Sequence, residues 1–92
     1  MLARWLLYPP DVLLLDEPTA GVDVAARAEI HRHVRQACAA GTAVVLVASD
    51  PHELAELSDR VAVLAGGRIA ANVEPPYDAA RLIDLLDIEA LR

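Results

Sequence analysis

Val12-Leu13-Leu14-Leu15 runs straight into Asp16-Glu17, and Pro18 ends the run. An apolar run this short, closed by turn formers, reads as a strand buried on both faces of a parallel sheet. Open α/β sheets bind their ligands beyond the carboxyl ends of the strands, which is where these two acids emerge. Adjacent carboxylates there suit a magnesium-bearing nucleotide: one holds the metal, the other orients or deprotonates water. The plainer alternative is a strand that ends in a solvated acidic turn. The particular wording of the adjoining segment, Pro18-Thr19-Ala20-Gly21-Val22-Asp23, weighs against it.

The rest of the chain repeats the strand–helix alternation. Leu2 to Tyr8 reads as the end of a helix stopped by Pro9-Pro10, because a residue before proline avoids helical angles. Asp23 is a good N-cap for a helix from Val24 to about Ala39, with Gly41 near its far end. Ile30, Val34, Ala37 and Cys38 recur at helical spacing and should cover the sheet, with Arg27, His31, Arg35 and Gln36 mainly opposite. Thr42 to Ala48 is again continuously apolar and is expected to be a central strand. Ser49-Asp50-Pro51 starts a short helix running to about Leu57, with proline acceptable in a first turn. Arg60 to Ala65 is a third strand, Gly66-Gly67 a tight turn, and Arg68 to Val73 an antiparallel return. After Pro75-Pro76, Asp78 caps a last helix, Ala79 to Leu86, with Leu82, Ile83, Leu85 and Leu86 as its apolar stripe. Such a β-α-β-α-β order implies parallel strands with right-handed crossovers. Asp16, Glu17, the segment through Asp23 and Ser49 would then share one edge of the sheet.

Composition narrows the function classes. The 92 residues allow one small domain with a modest core. Hydrophobic residues make up 55% but aromatics only 3%, so the core is aliphatic, as parallel strands under helices require. A formal net charge of -6, with eight scattered basic residues, all arginine, argues against a nucleic-acid surface. Cys38 is the only cysteine and reads as small apolar filler on a helix, which excludes an internal disulfide. No apolar stretch approaches the roughly 18 residues of a membrane span, and Arg4 interrupts what could pass for a signal peptide. These features point to a cytoplasmic chain without direct membrane insertion. His31 and His33, two apart on a helix, face different ways and make a poor zinc pair. Trp5 and Tyr8 are expected to pack helices, not to stack bases.

Leu15-Asp16-Glu17-Pro18-Thr19 and the segment through Asp23 resemble the Walker B motif and D-loop of ATP-binding cassette (ABC) ATPases. Ser58-Asp59-Arg60-Val61-Ala62-Val63-Leu64-Ala65-Gly66-Gly67-Arg68-Ile69 is similar to the strand-turn-strand located downstream in the same family. The resemblance covers roughly Leu2 to Val73, and Gly21-Val22-Asp23-Val24 looks most like the second cassette of sugar-import ATPases.

What the resemblance implies is specific. Asp16 matches the Walker B aspartate, which assists Mg2+ through a bound water. Glu17 matches the catalytic glutamate that polarises the water attacking the γ-phosphate of ATP. Asp23 matches the D-loop aspartate that couples two cassettes, a role compatible with capping a helix. Ser49 stands ten residues before Asp59, where the family has a histidine that contacts the γ-phosphate. Serine can hydrogen-bond there but carries no positive charge, and His52 is a poor substitute by position. The site therefore reads as degenerate, keeping nucleotide binding with hydrolysis impaired.

The sequence has no Gly-x-x-x-x-Gly-Lys-Ser/Thr loop to cradle phosphates, no Leu-Ser-Gly-Gly signature and no Q-loop. The implied fold is α/β: a partial P-loop NTPase of the ABC type, its parallel sheet flanked by helices, with a C-terminal β-hairpin and without the phosphate-loop strand. Residues 1–74 would be the C-terminal portion of the cassette and 75–92 a helical extension. The implied partners are transmembrane permease subunits and a second cassette, at the inner face of the cell membrane. Two rivals stand beside this reading: a non-catalytic interaction module derived from a cassette, and a soluble ABC-type ATPase of DNA repair or translation. Intact Asp16 and Glu17 count against the first, the unclustered acidic charge against the second.

Overall fold

A computed structural model describes residue 5 and residues 7–90. The elements are β1 (Val12–Asp16), α1 (Val24–Ala39), β2 (Ala43–Val47), α2 (Pro51–Leu57), β3 (Val61–Ala65), β4 (Arg68–Val73) and α3 (Ala79–Ala90). They fall into two compact units, Met1–Ser49 and Asp50–Arg92. The helix end expected over Leu2 to Tyr8 lies largely outside the described residues. Of its two aromatics, Trp5 is half-buried and Tyr8 is exposed, so Tyr8 does not pack as expected.

In the first unit β1 and β2 pair in parallel, with Val12 opposite Ala43 and Asp16 opposite Val47. Two further bonds fasten the start of the pair: the Ala43 N–H donates to Asp11 O at 2.9 Å, and Thr42 Oγ1 donates to Pro10 O at 2.8 Å. Between the strands α1 begins at Asp23, whose carboxylate accepts from the Ala26 N–H at 2.8 Å. It ends in a Schellman motif. The Gly41 N–H bonds Cys38 O and the Thr42 N–H bonds Ala37 O, both at 3.0 Å, with Gly41 at φ +100°. Ile30, Val34 and Ala37 are buried as their spacing predicts.

Three expectations for this unit need correction. Cys38 is exposed and His31 is buried, so the apolar stripe of α1 is rotated toward His31. The β1–β2 pair is not buried on both faces. Burial alternates along both strands, leaving Leu13, Leu15, Val44 and Leu46 half-buried while Val12, Leu14, Val45 and Val47 are more than half exposed. Nor is β2 a central strand, since it pairs only with β1 among the described residues. One helix shields one face of the sheet, and the described residues of this unit supply no second covering layer.

The second unit is a hairpin packed by two helices. Asp50 caps α2, accepting from the His52 N–H at 2.9 Å, with Pro51 in the first turn. β3 and β4 pair antiparallel around Gly66-Gly67, both at positive φ (59° and 77°), the conformation a two-residue hairpin loop demands. A register shift falls between Val63 and Leu64. β3 has no parallel neighbour among the described residues, so the parallel sheet counts two strands where the alternation suggested three. Asp78 caps α3, accepting from the Arg81 N–H at 2.9 Å. α3 runs four residues past Leu86, since no glycine or proline stops it there. Leu82 is 1% exposed and completes a core with Val61, Val63 and Val73, while Leu54, Ala55, Tyr77 and Leu85 pack around it. Ile83 and Leu86, expected in the same stripe, are exposed because only one narrow side of α3 meets the hairpin and α2.

Candidate functional site

The carboxyl end of the β1–β2 pair gathers the acids. Asp16 is the last residue of β1 and is exposed. Glu17 comes next, in the left-handed region at φ +48°, the only described non-glycine residue at positive φ. Its N–H donates to Val47 O at 2.7 Å, carrying the ladder one residue past the strand. Its C=O accepts from the Ala20 N–H at 3.1 Å, closing a turn over Glu17-Pro18-Thr19-Ala20. A left-handed residue other than glycine costs about 1–2 kcal/mol, so this conformation persists only where its surroundings hold it. The turn redirects the chain while both carboxylates stay at the strand end.

Ser49 comes two residues after Val47, whose carbonyl holds Glu17. It is exposed at the same end of the same two-stranded sheet as Asp16 and Glu17. Asp23 begins α1, its carboxylate engaged as the N-cap. Asp16, Glu17 and Ser49 are thus brought to one edge, and Asp23 stands where the chain turns back from it. His52 lies in the first turn of α2 and is exposed. His31 is buried, and the His33 Nε2 lies 3.9 Å from the Glu29 carboxylate.

Sequence reasoning missed Thr19. It is 5% exposed, in a turn whose next residues, Ala20 and Gly21, are open to solvent. Its only advance signal was a hydroxyl directly after Pro18, which says turn and not burial. It also missed Glu53, buried on α2 at 2% exposure, a position that the helical pattern marks as ordinary and polar.

Whether the edge fits a magnesium-nucleotide can be judged from its donors. Among the described residues no group of three or more His, Cys, Asp or Glu could hold a metal. Magnesium is commonly bound through one or two carboxylates, waters and the phosphates of the nucleotide, so Asp16 beside Glu17 fits an ion that arrives with its nucleotide. It does not fit an all-protein cage.

No family model matches the chain. Curated proteins do. It is 46% identical over 84 residues to the ribose import ATP-binding protein RbsA 2 of Mesorhizobium japonicum, covering 90% of this chain and 17% of that protein. It is 57% identical over 68 residues to the ribose import ATP-binding protein RbsA of Chromobacterium violaceum, covering 74% of this chain and 14% of that protein. A putative ribose/galactose/methyl galactoside import ATP-binding protein of Burkholderia cenocepacia is 44% identical over 86 residues, 92% of this chain and 16% of its own length. The chain therefore spans about a sixth of the length of the curated relatives it matches.

Proposed function

This chain is homologous to a segment of ABC-type sugar-import ATP-binding proteins, and from that premise we propose that it supplies the hydrolytic edge of a nucleotide-binding cassette. Residues 1–74 act as the C-terminal portion of the cassette and residues 75–92 as an extension fastened by Leu82 to the hairpin core. The fold of that portion is a partial P-loop NTPase sheet whose phosphate-loop strand comes from elsewhere. The observation that carries the reading is the pairing of Asp16 and Glu17 at the carboxyl end of a parallel strand, with the Glu17 N–H bound to the neighbouring strand.

In a completed cassette Asp16 would help hold a magnesium ion, which would supply charge neutralisation at the phosphates of ATP. Glu17 accepts a proton from the water aimed at the γ-phosphate. Its fixed backbone limits how far the carboxylate can wander. Ser49 donates a hydrogen bond to the phosphate but brings no charge, which lowers turnover more than affinity. Asp23 caps α1 and meets the second cassette. Such a subunit works from the cytoplasmic face of the membrane and passes the energy of hydrolysis to permease subunits. A sugar is the substrate class that the names of the relatives favour. A second reading, a non-catalytic module that pairs with a cassette, is favoured by Ser49 and by the lack of a phosphate loop in these 92 residues.

Equilibrium dialysis with labelled ATP separates the two. The 92-residue chain alone should bind ATP no tighter than roughly millimolar, about -4 kcal/mol. A chimera in which it replaces the matching stretch of the Chromobacterium violaceum relative should bind at least about tenfold tighter, a gain of about 1.4 kcal/mol. A chimera that folds yet binds no better than the chain alone would rule out the cassette reading.

A further inference from the structure

We infer that Thr19 is a positioning residue for Glu17: its burial clamps the turn that keeps Glu17 in the left-handed conformation at the strand end. The inference rests on Glu17 being the base of the proposed site.

Three observations carry it. Glu17 at φ +48° is strained as a non-glycine residue, so other contacts must offset the cost. Two of these are its own backbone bonds, to Val47 O and from the Ala20 N–H. Both bonds run along the backbone, and the inward side of the turn, where Glu17 and Pro18 are half-buried, is left to be held by packing. Thr19 supplies the missing restraint. It is 5% exposed between half-buried Pro18 and exposed Ala20, it is not without a partner, and its C=O accepts from the Val22 N–H at 3.4 Å. Burial of the side chain holds the turn, so trimming it to alanine loosens the turn, while valine, of the same shape, keeps the space filled. Pro18 sets the φ between the two residues and transmits the restraint from Thr19 to Glu17.

The test reads the backbone of Glu17 directly in the 92-residue chain. Positive φ brings the amide and α protons of one residue unusually close, giving a strong intraresidue cross-relaxation signal by nuclear magnetic resonance. Wild type should show it at Glu17, Thr19→Val should keep it, and Thr19→Ala should lose it while the amide signals of α1 stay in place. A Thr19→Ala chain that retains the signal overturns the inference, as does a wild type that lacks it. Should Thr19→Ala fail to fold, the same substitution is placed on Glu17→Gly, where no left-handed strain remains. Recovery of the fold supports the inference and continued unfolding overturns it. None of these readouts involves hydrolysis, so a failure here is distinct from a failure of Glu17 as base, which is judged by turnover.

Discussion

Tyr77 illustrates how single groups set the stability of the second unit. Its hydroxyl donates to Ser58 O at 2.7 Å, tying the segment before α3 to the end of α2. Burial first, and then the negative charge of Asp59, hold its pKa above the usual value near 10, with the Ser58 side chain opposing in part. A raised pKa in the folded state means the neutral phenol is favoured there. Its contribution is therefore complete below about pH 10 and is lost as pH rises through the folded value. Tyr77→Phe should cost about 0.5–1.5 kcal/mol at neutral pH, the worth of one hydrogen bond. Urea melts from pH 7 to 11 should show the gap between wild type and variant closing at the alkaline end. A gap constant across that range would refute the assignment. At the same scale the meeting of Asp16, Glu17 and Ser49 at one end of the sheet was legible from the sequence, because parallel strands joined by a helix bring their carboxyl ends together. The left-handed backbone of Glu17 was not, since nothing about a Glu-Pro pair demands it. The burial of Thr19 was equally hidden, because it depends on contacts that no local pattern encodes.

Among the elements, α3 is the one whose docking the sequence left open. Its stripe of Leu82, Ile83, Leu85 and Leu86 was readable, but which members face inward depends on the hairpin it meets. Only Leu82 is fully buried. Leu82→Ala should destabilise the second unit by about 2–5 kcal/mol, whereas Ile83→Ala, at 38% exposure, should cost far less. Denaturant titration of both variants checks the ranking, and equal losses would mean that α3 packs by another face. α1 tells a parallel story. Its caps at Asp23 and Gly41 were plain from residue type, and Ile30, Val34 and Ala37 from spacing. The inward turn of His31 and outward turn of Cys38 were not, because a helical stripe is broad and its neighbours decide the rotation.

On the scale of the whole molecule, the β1–β2 pair carries Val12, Leu14, Val45 and Val47 on a largely exposed face. Parallel sheets are ordinarily covered on both sides, so apolar area that would stabilise a complete α/β layer contributes little here. Continuous apolar runs announced two-sided burial, and the runs are real. A run of apolar residues encodes the demand for a covering layer, not the layer itself. The 92-residue chain should consequently be marginal as a monomer, with a broad transition by circular dichroism. A sharp, cooperative, monomeric melt at or above about 60 °C would contradict that.

The central claim is that the β1–β2 edge delivers Glu17 as the base of an ATP site. Steady-state ATP hydrolysis by the chimeric cassette, with and without Glu17→Gln, tests it most directly. The account predicts a loss of about 10²- to 10⁴-fold in turnover with ATP affinity retained. Turnover unchanged by the substitution in a chimera that hydrolyses ATP would contradict it.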